Sequence, residues 1–461
     1  MWLKRNVAQN IFCKLGWTSA WETDQFHFPL SGESVSNRCS GRPVKIMSSD
    51  PTVDPALDYI SLILPLPYRV ALAVVLGKLL DVPLLINPQR EVNQPSPPAY
   101  ASTYRLAFIL TAPLVFSLSL FWLLTHHNSS LVIYYDFLPL TYLCILLGIL
   151  LLPIRPLHSS GRSRFLLTLR RISIGGLAQT KDGKFGDIIL ADVLTSYSKI
   201  IADVFIVFCM FFSKESSSAT TKPNRACGGQ YLIPIITAIP YLIRLRQCLT
   251  EFLRAQSAGE LDSGSRHLAN ALKYTTGLPV IAFSALHNTF SVNSNKQNIG
   301  LTKEGAYYCW LTAIFINSSY SFYWDIAKDW DLELFPALFE CLYFTGRSRL
   351  SNQFHIPRPK KITYFGLRSN LFLPNPDIYY LAIIFDFFLR FSWLMKLSPH
   401  LVQFADSESG ITLLEYAEIG RRWIWIFLRS DAEWVRQYEE KEDPVLNNIL
   451  SGRFNEFEDC E

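Results

Sequence analysis

Ionisable side chains recur at helical spacing inside stretches of this sequence that are otherwise apolar. Asp192, Thr195, Ser196, Lys199 and Asp203 fall at offsets of 3, 4, 7 and 11, which is one face of a helix. Glu415, Glu418, Arg421 and Arg422 repeat the pattern beside Trp423 and Trp425, and Asp386, Arg390 and Trp393 follow at offsets of 4 and 3. Arg244 with Gln247, Lys273 with Tyr274, and Asp325 with Asp329 one turn on complete the set. A charge at the centre of a bilayer costs about 2.5 to 3.5 kcal/mol or more, so these faces must look at one another or at water. The arginines favour an anion, because a guanidinium fork matches an oxyanion in bidentate fashion. Spacing alone does not separate phosphate from another oxyanion.

A blander reading is available for each residue. Asp386 with Arg390, and Glu418 with Arg422, sit at the i,i+4 spacing of a structural ion pair. Taken as a set, however, the charges exceed what helix packing in lipid needs, since small and neutral polar residues serve it at lower cost. No nucleophile and base pairing and no acidic metal motif stands out, so an enzyme, a cofactor and a metal site are not expected.

The elements that must position these residues follow from composition. The chain has 461 residues, 49% of them hydrophobic and only 18% charged, which indicates lipid as the solvent. Apolar blocks run from Arg69 to Ile86, Arg105 to Leu124, Leu131 to Leu152, Ile188 to Phe212, Tyr231 to Leu253, Leu268 to Phe290, Ala306 to Ile326, Ile378 to Leu397 and Ile411 to Leu428. Each approaches the roughly 20 residues that cross a hydrocarbon core. The expected fold is all-α, a polytopic transmembrane helical bundle of about 8 to 10 spans. The nine cysteines are spread singly with no C-x-x-C pair, which points to neither a disulfide framework nor a zinc site. A net charge of +4 is small for this length and gives little support to nucleic-acid binding.

Lysine and arginine gather in two connections, Arg155 to Lys184 and Lys328 to Arg368, while Ser398 to Gly410 has none. The positive-inside rule then places both basic connections and the C-terminus in the cytosol. The basic N-terminus fits that parity only if Leu57 to Ile86 forms a hairpin broken at Pro65 and Pro67. Residues 1–55 read as a polar N-terminal segment, 56–186 as N-terminal membrane helices with a basic loop, 187–430 as the main membrane domain and 431–461 as a polar tail.

Five motifs in order resemble the EXS domain of eukaryotic phosphate exporters, the family that includes the xenotropic retrovirus receptor. The stretch from Ile239 through Arg244 and Gln247 to Leu249 leads to the stretch from His267 to Lys273-Tyr274. Ala191-Asp192 with Ser196, Tyr320 with Trp324-Asp325 and Asp329-Trp330, Asp386 with Arg390 and Trp393, and Arg421-Arg422 with Trp425 and Arg429 supply the others. The resemblance implies a phosphate pathway in which Arg244, Lys273, Tyr274, Arg390, Arg421 and Arg422 contact the anion. It assigns Asp192, Thr195, Asp325 and Asp329 to the pathway wall and Trp393 to the gate. Two positions depart from the family: Thr250-Glu251-Phe252 replaces an arginine-rich run, and Thr195 stands where the family has asparagine.

The short N-terminal segment leaves no room for an SPX domain, which is similar to fungal Golgi members associated with recycling phosphate and retaining lumenal proteins. The expected function is transport of inorganic phosphate from Golgi lumen to cytosol, with the endoplasmic reticulum or another endomembrane as the alternative location. The competing reading is a Golgi adaptor that recycles glycosyltransferases without transport, with glycosyltransferase-sorting proteins as partners. A homodimer is compatible with either; the partners expected in both are the lipid bilayer and no nucleic acid.

Overall fold

A computed structural model describes residues 59–79, 100–152, 160–174, 184–213, 218, 220–229, 231–292, 302–339, 364–368 and 370–458. The N-terminal segment 1–55, much of the basic connection from Arg155 to Lys184 and residues 340–363 of the second basic connection lie outside them. The described residues are helical and contain no strand: α1 (Tyr59–Ile63), α2 (Leu66–Leu79), α3 (Tyr100–Thr125), α4 (Ser129–Tyr134), α5 (Phe137–Leu151), α6 (Ser160–Ser173), α7 (Lys184–Ser196), α8 (Ser198–Phe212), α9 (Leu232–Ser257), α10 (Leu261–Thr275), α11 (Gly277–Val292), α12 (Lys303–Trp324), a π-helical turn (Asp325–Asp329), α13 (Asp377–Arg390), a 3-10 turn (Ser392–Leu397), α14 (Val402–Asp406) and α15 (Glu408–Glu458).

The fold is inverted with respect to a water-soluble bundle. On α13, Asp386 is buried with Tyr379, Ala382 and Ile383, while Leu381, Ile384, Phe385 and Phe388 face outward. On α9, Arg244 and Gln247 are buried and Ile235, Leu242, Leu249 and Leu253 are exposed. Such a surface is at rest only in hydrocarbon, where polar groups turn inward. Of four apolar cores among the described residues, two are large. One joins α2, α3, α5 and α8 through Tyr68, Phe121, Leu143 and Val207; the other joins α7, the π turn, α13 and α15 through Ile189, Ile326, Ile383 and Ile426.

By length and composition, Arg105–Thr125 and Leu232–Ser257 each suffice to cross a membrane among the described residues, and α7 and α8 reach that standard only together, across a bend of 59°. The other expected stretches are also helical, but they are shorter, divided or more polar than that standard. Leu131 to Leu152 is broken between α4 and α5, and Leu268 to Phe290 between α10 and α11. Pro139 and Pro279 each occupy the third residue of the helix that follows the break, where a missing N–H costs nothing because the first turn has no acceptor for it. Of the hairpin in Leu57 to Ile86, the described residues show a break at Leu64 and Pro65 between α1 and α2, and the outer part of each arm lies outside them; the five residues of α1 rise only about 7.5 Å against a core of roughly 30 Å.

Gly277 sits at the second break, where a Cβ would come within 2.9 Å of the Tyr241 ring. Gly277→Ala is therefore expected to lower stability by about 1 to 3 kcal/mol through overpacking. A thermal unfolding scan in detergent checks this, and an unchanged melting temperature would show that the ring moves aside freely.

The bend at Tyr197 divides the face expected from Asp192 to Asp203. Tyr197 caps α8 and donates to the Ala73 carbonyl at 3.0 Å. Thr195 and Ser196 consequently meet α15, Asp192 meets Arg244 of α9, Asp203 turns to Arg225, and Lys199 is exposed. Cys209 and Cys227 form a disulfide, which corrects the expectation of no disulfide. Their separation of 18 residues leaves no short-range signature.

Candidate functional site

The breaks place helix ends inside the bundle, and the charged side chains cluster there. α7 ends at Thr195 and Ser196, α10 at Lys273 and Tyr274, and α13 at Arg390. A helix C-terminus carries partial negative charge, which favours a lysine or arginine in its last turn. The π turn brings Asp325 and Asp329 in beside them. α9 adds Arg244, and α15 adds Glu418, Arg421, Arg422 and Arg429.

Almost every charge in this cluster is spent on a neighbour. Arg244 Nε donates to Asp192 Oδ1 at 2.7 Å and Nη1 to Gln247 at 3.0 Å; the Tyr274 hydroxyl donates to the same Asp192 oxygen. Lys273 Nζ donates to Asp325 at 2.8 Å and Asp329 at 3.3 Å. Arg390 pairs with Asp325, and its Nε lies 3.9 Å from Asp386. Arg421, at 1% exposure, grips Glu418 through Nε at 2.8 Å and Nη2 at 2.6 Å, while Nη1 reaches Asp386 at 2.8 Å and Asp325 at 3.4 Å. Arg429 Nε stands 3.9 Å from Asp329.

Arg422 differs from all of these. It is 5% exposed, yet no carboxylate of the described residues lies within ion-pair distance of it. Its Nε donates to Ser196 Oγ at 2.8 Å and Nη2 to Thr195 Oγ1 at 3.3 Å, and its guanidinium lies 4.6 Å from the Trp425 ring centroid. Both hydroxyls give their own protons elsewhere, Ser196 to Glu418 at 2.8 Å and Thr195 to the Asp192 carbonyl at 2.7 Å. Arg422 is thus held by neutral acceptors alone. The cluster contains six cations (Arg244, Lys273, Arg390, Arg421, Arg422 and Arg429) and five carboxylates (Asp192, Asp325, Asp329, Asp386 and Glu418), so one positive charge is uncompensated.

The structure brings together ten of the eleven residues singled out from the sequence. Trp393 stands apart on the 3-10 turn, where its indole donates to Ser318 at 3.1 Å and its ring is 6.4 Å from Phe391. Of the i,i+4 pairings suggested by spacing, Asp386 with Arg390 is kept at 3.9 Å, though Asp386 is closer to Arg421, while Glu418 takes Arg421 in place of Arg422. Of a second cluster the sequence reading found only Asp203. Arg225, from the loop closed by the disulfide, grips Glu408 at 3.1 Å through both Nε and Nη2 and reaches Asp203 at 2.9 Å; Arg69 joins Glu408 at 3.0 Å. Arg225 lies in a polar loop with no periodic context. Asp203 carried the helical-spacing signal, and Glu408, seven residues before Glu415 and fourteen before Arg422, carried one that was not read.

The sequence of residues 64–435 matches the EXS family. The chain belongs to the EXS family. The matched stretch takes in α2 and the Arg69 cluster, ahead of the motifs that begin near Asp192. Among the relatives of this EXS protein is Protein ERD1 homolog 1 of Schizosaccharomyces pombe, 28% identical over 77% of this chain and 82% of the relative. The xenotropic and polytropic retrovirus receptor 1 homolog of Xenopus laevis is 28% identical over 66% of this chain and 39% of its own. Solute carrier family 53 member 1 of Mus pahari is 28% identical over 56% of this chain and 33% of its own.

Proposed function

We propose that this EXS protein conducts inorganic phosphate across a Golgi membrane, from lumen to cytosol, without covalent chemistry. The observation that carries the reading is Arg422, a buried guanidinium with hydroxyl neighbours and no carboxylate of its own. A fork of two N–H donors beside Ser196 and Thr195 suits an oxyanion that can also donate from a protonated oxygen. The surplus positive charge favours a bound anion over an empty site, because an unpaired charge in low dielectric is costly. The surrounding ion pairs keep Arg422 in place while leaving it electrostatically unsatisfied. A relative named as a solute carrier supports a transport role, and the resemblance to fungal Golgi members supports the endomembrane setting. An adaptor that only sorts glycosyltransferases has no use for an uncompensated cation inside the membrane.

Golgi-enriched vesicles test direction and place together. Vesicles from cells that express the protein are expected to release phosphate generated in their lumen faster than vesicles from cells that lack it. Equal release, with the protein present in those vesicles, would favour the adaptor.

A further inference from the structure

Glu408, Glu415 and Arg422 follow one another at intervals of seven on α15, so they lie on nearly one stripe of that helix. Successive members are about 10 Å apart along the axis. The first is locked to Arg69 and Arg225, and the last is the unpaired guanidinium. Glu415 lies between them and is half-buried; its Oε1 is shut off from solvent and has no hydrogen-bond partner among the described residues. The charges that act on it from neighbouring elements are Asp203 and Lys199 on α8, Arg225 on the disulfide-closed loop and Arg69 on α2. Arg69 and Arg225 are committed to Glu408 and Asp203, while Glu418, one turn along α15, is gripped by Arg421.

We propose that Glu415 is the proton-loading site of this protein, taking up a proton for each phosphate that passes between the Arg225 cluster and Arg422. This rests on the transport reading above. An ionised carboxylate on the stripe repels an approaching anion, and in a low-dielectric passage that repulsion is not screened. Protonation removes it: the carboxylate Oε accepts the proton from the side the anion enters, the neutral carboxyl lets phosphate reach Arg422, and the proton leaves on the other side as the anion departs. An unpartnered oxygen suits the role, because gaining or losing a proton there breaks no ion pair. Buried carboxylates within membrane spans are recurrent parts of proton relays for the same reason.

The test uses purified protein in liposomes with the membrane potential held at zero and a pH difference of about one unit, reading the final ratio of inner to outer phosphate. Phosphate carried as the dihydrogen anion is by its own titration concentrated at most about tenfold per pH unit, and one further proton, bound at Glu415 and carried with that anion, multiplies the ratio by about ten. Wild type is expected to exceed the tenfold ceiling. Glu415→Gln, which keeps the shape and orphans no charge, is expected to fall about tenfold below wild type while still exchanging phosphate between equal pools. Wild-type phosphate movement that stays under the ceiling overturns proton loading but leaves transport standing, whereas no phosphate movement by folded wild type sinks the transport reading first. A Gln variant that matches wild type, or one that folds and exchanges no phosphate, would likewise overturn the assignment. Should that variant fail to fold, the wild-type ceiling still decides.

Discussion

Replacing Arg422 with alanine is expected to reduce phosphate flux about 100-fold while protein abundance in the membrane stays at or above the wild-type level. The flux estimate follows from losing two charge-assisted hydrogen bonds to the anion, about 3 kcal/mol together, which is about two decades in rate or affinity. The abundance estimate follows from what the guanidinium leaves behind. Ser196 and Thr195 keep the bonds they donate to Glu418 and to the Asp192 carbonyl, so no buried group is stranded, and the cost of an unpaired charge disappears. Against this, the substitution removes the stack on Trp425, which stabilises by about 0.5 to 2 kcal/mol. Arg422→Lys should recover flux only in part, because the charge returns without the planar fork. Flux and abundance measured on the same membranes check the claim. A purely structural Arg422 would instead give depleted protein in the alanine variant and near-complete recovery with lysine.

Arg421 is expected to behave in the opposite way, although it is the next residue. Its guanidinium contacts Glu418, Asp386 and Asp325, and Asp386 already has one oxygen, Oδ2, with no partner. Arg421→Ala leaves those carboxylates facing one another inside the bundle, and removing one partner of a buried ion pair costs about 3 to 5 kcal/mol. The variant should therefore be lost from the membrane rather than arrive inactive. Neutralising a partner as well, in Arg421→Leu with Asp386→Asn, should restore a measurable share of the protein, a coupling that a double-mutant cycle on thermal stability would read directly. Independent, additive losses in that cycle would show that the pair does not interact as drawn.

These opposite expectations for adjacent residues mark where sequence reading stops. Helical spacing was enough to place Asp386, Arg390, Glu418, Arg421 and Arg422 on polar faces, and adjacent positions about 100° apart on a helix imply that one arginine faces an acid while the other does not. Which arginine is which depends on partners far away in sequence. Asp325 and Asp386 lie 96 and 35 residues from Arg421, and Ser196 lies 226 residues from Arg422. Periodicity carries no information at that range. The same limit explains the bend at Tyr197, where an unbroken apolar and polar pattern gave no break signal. The division at Gly277 and Pro279 was present as residues but masked by the apolar run around it. The cluster of Arg69, Arg225, Asp203 and Glu408 depends on a loop whose position is set by the disulfide between Cys209 and Cys227, a pairing that single cysteines do not announce.

The central claim is that an uncompensated guanidinium inside this bundle serves a moving phosphate. Flux of radiolabelled phosphate through liposomes containing only the purified protein measures that most directly. The expected result is saturable movement, competed by arsenate and about 100-fold slower in liposomes containing the Arg422→Ala variant at equal protein content. Phosphate movement no faster than in protein-free liposomes, from protein shown to be folded, would contradict it.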